Sequence, residues 1–205
     1  MLAIVPVNAP GEAKRRLAPF LDPDQRAALV RAMLEDVLAA CSEAASIEHT
    51  LVVTPEPALA PAGSEILTDP GRGHAAAIEL GLANAGADGA LIVMADCPLV
   101  SPAVLDRLAR AARPVAIGLA QDGGTNALAL RPANAVPPAF GVPDGAAVVA
   151  ARARAAGFEP AIVDDAGLAL DVDTLEDLER VCELGDSTRT RHVVITSDLL
   201  PNRLA

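Results

Sequence analysis

Apolar positions along this chain follow two alternating rhythms. Short, β-branched or leucine-rich runs give way to stretches in which apolar residues fall every third or fourth position. Residues 2–7 form the first run and stop at Asn8-Ala9-Pro10-Gly11, which predicts a buried strand ending in a loop. Residues 50–54 and 65–67 predict two more strands. Residues 90–95 (ALIVMA) are apolar without interruption, as in a strand covered on both faces. Strands are also predicted over 115–119, 127–131, 161–163 and 168–170.

The helical rhythm is clearest where Leu29, Met33, Val37 and Cys41 recur with Val30, Leu34 and Leu38 beside them. Asp22 and Pro23 stand where an N-cap and a first-turn proline belong. Further helices are predicted over 74–85, from Ser101-Pro102, over 143–156, and from Thr174 to Leu184. Strands and helices alternate with no repeat, linker or low-complexity block. That pattern predicts one α/β domain over residues 1–185 with a mostly parallel sheet. Residues 186–205 differ in character. Their HVVIT segment (192–196) reads as a strand that would extend a sheet edge, in this subunit or in a homodimer partner, or else as a loose end.

Composition narrows the function. Lys+Arg 16 against Asp+Glu 27 gives a net charge of −11, and Phe20, Phe140 and Phe158 are the sole aromatics. Neither a basic face nor an aromatic platform for nucleic acid is expected. With 44 alanines among the apolar residues, the core should rely on Leu, Val and Ile, with alanine setting close helix-to-sheet spacing. No run approaches the ~20 residues of a membrane span, and the first ten residues lack a signal-peptide pattern. Cys41, Cys97 and Cys182 are odd in number and form no CxxC. A reducing, cytoplasmic setting is expected. Lys14 is the single lysine beside fifteen arginines, which suggests a need for a compact ammonium.

Ligands of open α/β sheets sit at the carboxyl ends of the strands. Four features are expected there: Lys14 and Arg16 after the first strand, Asp96 after ALIVMA, the turn Gly123-Gly124-Thr125-Asn126, and Asp171-Val172-Asp173. Asp171 and Asp173 are two apart, so an extended backbone points both carboxylates to one side. Two carboxylates held together call for a cation. With Asp96 they make three hard oxygen donors of the kind Mg²⁺ takes. Taken singly, each of these residues also reads as an ordinary turn, cap or solvated loop. His74, at a loop-to-helix junction, is a further candidate for ligand contact. No GxxxxGK[ST], GxGxxG or GxSxG motif is present.

Six segments in order carry a resemblance: VPVNAPGEAKRRLA, AMLEDVL, MADCPLV, GGTNALAL, FGVPDG and LDVDTLEDLE. Together they resemble the 2-phospho-L-lactate guanylyltransferase family, including its phosphoenolpyruvate- and 3-phosphoglycerate-using members, which serves deazaflavin coenzyme (factor 420) synthesis. The resemblance implies a three-layer αβα sandwich with a Rossmann-like nucleotidyltransferase fold, similar to molybdopterin guanylyltransferases. It implies Mg²⁺-dependent joining of GTP to a small phosphorylated acid. By that resemblance Lys14 and Arg16 hold the GTP phosphates and act in catalysis with Asp96. Gly73 and His74 belong to the nucleotide site, and Asp96, Asp171 and Asp173 to the metal. Thr125, Asn126, Gly141 and Asp144 belong to the phospho-acid site. The chain departs from the family at Asn8 (usually Lys), His74-Ala75 (commonly Leu-Asn), Asp144 (usually Ser) and Val148 (usually His). A molybdopterin-type nucleotidyltransferase and a non-catalytic nucleotide-binding protein on the same fold remain alternatives.

Overall fold

A computed structural model describes residues 1–9, 14–86, 88–197 and 199. Seven strands form one mixed sheet in the order β3-β2-β1-β4-β6-β5-β7. They are β1 (Leu2–Pro6), β2 (His49–Thr54), β3 (Glu65–Thr68), β4 (Ala90–Val93), β5 (Val115–Leu119), β6 (Thr125–Leu130) and β7 (Ala161–Val163). The strands β1 to β4 run parallel to their neighbours among themselves. β6 runs antiparallel to both β4 and β5. That reversal places the start of β6 beside the carboxyl end of β4, where the Met94 amide donates to the Asn126 carbonyl at 2.9 Å.

The helices are α1 (Pro23–Glu43), α2 (His74–Leu82), α3 (Pro102–Ala111), α4 (Gly145–Ala155), α5 (Ala166–Ala169), α6 (Leu175–Leu184) and α7 (Arg189–Thr196). Strand side chains alternate between faces, so α1 meets the face that carries Thr50 and Val52, while α2 meets the face that carries Ile4 and Val53. The helix α3 contacts α1 and shares its side. Helices therefore cover both faces of the sheet. All of β4 is fully buried, as its unbroken apolar run requires. Alanine does set the spacing: Ala3, Ala90, Ala116, Ala127 and Ala129 are sealed within the sheet. Gly81 marks one close approach, because a Cβ there would stand 2.6 Å from the Ile4 Cγ2.

Helix starts follow the residues that predicted them. Asp22 accepts from the Gln25 amide and Gln25 reciprocates, closing a capping box ahead of Pro23. Thr174 closes a capping box with Asp177 ahead of α6, and the Ser101 side chain caps α3 by accepting from the Val104 amide.

Two expectations are corrected. Residues 168–170 do not form a strand. The Asp165 side chain accepts from the Gly167 and Leu168 amides and winds the segment into the one-turn α5. The HVVIT segment is not a strand either. It lies in α7, which packs on α1 within the same chain. Asp36 of α1, almost completely buried, accepts from the Arg189 amide at 2.8 Å, the Thr190 amide at 2.9 Å and the Thr190 hydroxyl at 2.7 Å. A carboxylate at a helix N-terminus satisfies orphan amides and the dipole together. This long-range cap overrides the β-branched run of Val193, Val194 and Ile195. No helix among the described residues is long and apolar enough to cross a membrane.

Candidate functional site

The site lies where the strands β1 and β4 end and β6 begins. Asp96 follows β4 by three residues in a turn leading to α3. The Val172 amide donates to the Asp96 carbonyl at 3.0 Å, and the Val172 side chain is fully buried. Alternation then turns Asp171 and Asp173 outward to the side where Asp96 stands. Their carboxylate oxygens, with one from Asp96, all lie within 4.8 Å of one another. Asp177, in the α6 capping box, fixes the next segment by accepting from the Asp173 and Thr174 amides at 3.2 and 2.8 Å.

Lys14 reaches this cluster from the loop after β1. Its Nζ donates to Asp96 Oδ2 at 2.6 Å and to Asp173 Oδ1 at 3.1 Å. The Lys14 backbone is left-handed, at φ 54°, which costs a non-glycine residue roughly 1–2 kcal/mol. The neighbouring single turn, Arg15–Leu17, is anchored by the sealed Leu17 side chain. Arg16 lies outermost and pairs with Asp173 at 3.3 Å.

Burial by itself would lower the Lys14 pKa, but the Asp96 and Asp173 carboxylates outweigh it and raise it. Burial likewise opposes ionisation of Asp96, yet the Lys14 ammonium holds that carboxyl below its ordinary range. Asp171 is different. Burial and repulsion from Asp96 and Asp173 raise its pKa, against the hydrogen bond from Asn126. Burial lowers the pKa of His74.

Two adjoining cavities share His74, Met94, Asp96 and Asp173. The first, about 210 Å³, adds Asn8 and Lys14, with walls of Pro6, Val7, Val30 and Met33. The second, about 500 Å³, adds Thr125, Asn126, Gly141, Asp144 and Asp171 with Phe140. All the sequence-predicted site residues therefore meet here except Arg16, which reaches the cluster from outside through Asp173, and Gly73, which precedes α2 as its N-cap at φ 86°. Asn126 takes a positioning role. Its Nδ2 donates to the Leu168 and Ala169 carbonyls and to Asp171 Oδ1, at 3.0, 3.3 and 3.1 Å. The Asp144 carboxylate lies on the second cavity's wall, with no hydrogen bond or ion pair among the described residues, and does not cap α4. Val148 packs against the core rather than in either cavity.

Thr125 is the telling residue of the second cavity. The residue is only 7% exposed, and its Oγ1 has no hydrogen-bond partner among the described residues. It faces Gly145 at the start of α4, where a Cβ would collide with the Ala139 carbonyl oxygen. A buried hydroxyl beside a helix N-terminus that no side chain caps suits an anionic ligand. Sequence reasoning missed the aliphatic walls of the first cavity. Met33 and Val30 read only as part of a helix stripe, and Met94 as part of a strand.

Residues 1–197 match the family model described as guanylyl transferase CofC like. The chain is 40% identical over 190 residues to a phosphoenolpyruvate guanylyltransferase of Sphaerobacter thermophilus, covering 88% of this chain and 91% of that protein. It is 36% identical over 200 residues to a 2-phospho-L-lactate guanylyltransferase of Methanothermobacter thermautotrophicus, covering 92% and 87%. In structure it resembles a Desulfovibrio desulfuricans protein described as a candidate nucleotide-diphospho-sugar transferase, with a TM-score of 0.80 at 21% identity over 98% of this chain and 97% of that one. It also resembles a CMP-2-keto-3-deoxy-manno-octonic acid synthetase, with a TM-score of 0.60 at 16% identity over 90% and 98%. These likenesses support the nucleotidyltransferase fold expected from sequence. The chain belongs to the CofC-like guanylyl transferase family.

Proposed function

We propose that this protein transfers GMP from GTP to the phosphate of a small phosphorylated acid and releases pyrophosphate. One observation carries the reading. Three carboxylates from two distant segments converge with Lys14 at the junction of two cavities, one aliphatic-walled and one holding an unpartnered hydroxyl. The relatives named for phosphoenolpyruvate and 2-phospho-L-lactate support the acceptor class, with 3-phosphoglycerate as a third candidate by resemblance.

Asp96, Asp171 and Asp173 fit a divalent cation, which we take to be Mg²⁺. Their oxygens are hard donors close enough to share one ion. Asp96 and Asp173 keep 21% and 45% of their side chains exposed, which leaves an entry path. The lining of the second cavity supports a cation. Among the described residues five aspartates line it, including Asp122 and Asp144, with no lysine or arginine. Asp96, Asp171 and Asp173 would hold the ion, which would supply positive charge against the substrate phosphates.

The chain's own residues do the remaining work. The first cavity receives the base against Val7, Val30, Met33 and Met94, in keeping with a sequence poor in aromatics. Lys14 and Arg16 lie beside the cluster, where the leaving pyrophosphate gains charge. The Thr125 hydroxyl and the α4 amides hold the acceptor. An acceptor phosphate oxygen attacks the α-phosphorus, and the bond from that phosphorus to the β-bridging oxygen breaks. The acceptor is already ionised, so positioning and charge neutralisation suffice without a strong base. By resemblance, we read the product as an intermediate of deazaflavin coenzyme synthesis.

The test is pyrophosphate release with Mg²⁺, each nucleoside triphosphate, and a panel of phosphoenolpyruvate, 2-phospho-L-lactate and 3-phosphoglycerate. Release with GTP and one of these acids is expected. Nucleotide binding without release under any pairing would make the protein a binding module.

A further inference from the structure

The carboxylate cluster already holds a cation of the protein's own. Lys14 Nζ is hydrogen-bonded to Asp96 Oδ2 at 2.6 Å and to Asp173 Oδ1 at 3.1 Å. These are two of the three carboxylates that would ligate a divalent ion. The lysine side chain is 6% exposed although its partners are 21% and 45% exposed. The ammonium is therefore held against its own acids at the wall of the first cavity. Asp171 is left to the neutral amide of Asn126 at 3.1 Å, and Arg16 touches only the outer oxygen of Asp173 at 3.3 Å.

Resting on the reading above, we propose that Lys14 is a resident counter-cation of the cluster, displaced when the divalent ion and the nucleotide phosphates arrive together. The ammonium and the divalent ion compete for the same lone pairs, and their like charges repel. Nucleotide phosphates offer the ammonium replacement anions on the cavity side. A compact ammonium donates to both carboxylates from a single atom, whereas a guanidinium spreads its donors over a planar fork. That is a reason for the sole lysine of the chain to stand at this position. The consequence is thermodynamic coupling: nucleotide and divalent ion each strengthen the other's binding, and without nucleotide the ion binds weakly.

Mn²⁺ binding, followed by the loss of the free-ion electron paramagnetic resonance signal, tests this without turnover. It is measured for the wild type, Lys14→Gln and Lys14→Met, with and without GTP and with no acceptor, and each GTP series is read against Mn²⁺ and GTP without protein, because the triphosphate itself chelates Mn²⁺. Thermal melts establish which variants are folded. Without GTP, the folded variants should bind Mn²⁺ at least ten-fold more tightly than the wild type. GTP should tighten Mn²⁺ binding by the wild type more than by the variants. Equal or weaker Mn²⁺ binding by the variants overturns the role of the lysine and leaves the metal site standing. Should neither variant fold, Mn²⁺ binding by the wild type that is indifferent to GTP overturns it alone. Mn²⁺ bound by no protein even with GTP removes the metal site and the proposal together.

Discussion

Asp96→Asn separates what this aspartate does for the fold from what it does for the reaction. The substitution keeps shape and removes charge. Lys14, with 6% of its side chain exposed, would retain only Asp173 at 3.1 Å as an anionic partner. Breaking a fully buried ion pair costs about 3–5 kcal/mol. Here Asp96 is 21% exposed and a second carboxylate remains, so a smaller loss of about 1–2 kcal/mol is expected. In a chain of this length that lowers Tm by roughly 2–8 °C. The reaction should suffer more. Losing one of three cation ligands is expected to cut pyrophosphate release about 1000-fold, or about 4 kcal/mol. The double variant Lys14→Met, Asp96→Asn removes both charges. Its Tm should recover much of the loss, while its turnover stays at the floor. Asp96→Asn activity within ten-fold of wild type would refute the catalytic assignment. Activity that returned with stability in the double variant would show Asp96 to be structural only.

Thr125→Val swaps an unpartnered hydroxyl for a methyl. Tm should hold or rise, because a buried unsatisfied group costs about 1–3 kcal/mol, while KM for the acceptor rises about ten-fold. A drop in Tm with unchanged KM would contradict this. Asp36→Ala removes the acceptor of three hydrogen bonds at the start of α7. Urea unfolding should show a loss of about 2–4 kcal/mol, and amide exchange should quicken first in residues 189–196. Lys14 and Asp96 also set a pH window. The Lys14 pKa is raised above 10.5, so its contribution is complete below that pH and is lost as pH climbs through the raised value. The Asp96 pKa is lowered below 3.8, so its contribution is complete above that pH and is lost as pH falls through the lowered value. The stability difference between wild type and Lys14→Gln should shrink above pH 10.5, and it should also shrink on the acid side, starting above pH 3.8, because without the ammonium nothing offsets the burial that raises the Asp96 pKa in the variant.

Local pattern made much of this molecule legible. ALIV is buried on both faces and forms β4, so the aspartate just beyond it had to stand at a strand end. Asp171 and Asp173 flank a buried valine, and alternation alone turns both the same way. The direction of β6 was not legible, since the short apolar run 127–130 reads alike in either sense. Only pairing with β4 and β5 fixes that direction, and with it the placing of Thr125 and Asn126 at the site. The ion pair between Lys14 and Asp96 spans 82 residues and has no local signature. The HVVIT segment misled for the same reason. Its β-branched residues report a local preference, while the Asp36 cap that overrides it lies 153 residues away from Arg189.

Phosphorus-31 NMR of the product puts the proposed transfer to its sharpest test. The protein is incubated with GTP, Mg²⁺ and each phospho-acid in turn. With the true acceptor, the acceptor's phosphate resonance should be replaced by a pair of mutually coupled diphosphate signals, as free pyrophosphate accumulates in equal amount. Free GMP with pyrophosphate, or GDP with inorganic phosphate, and an acceptor signal left unchanged, would contradict transfer to a phospho-acid.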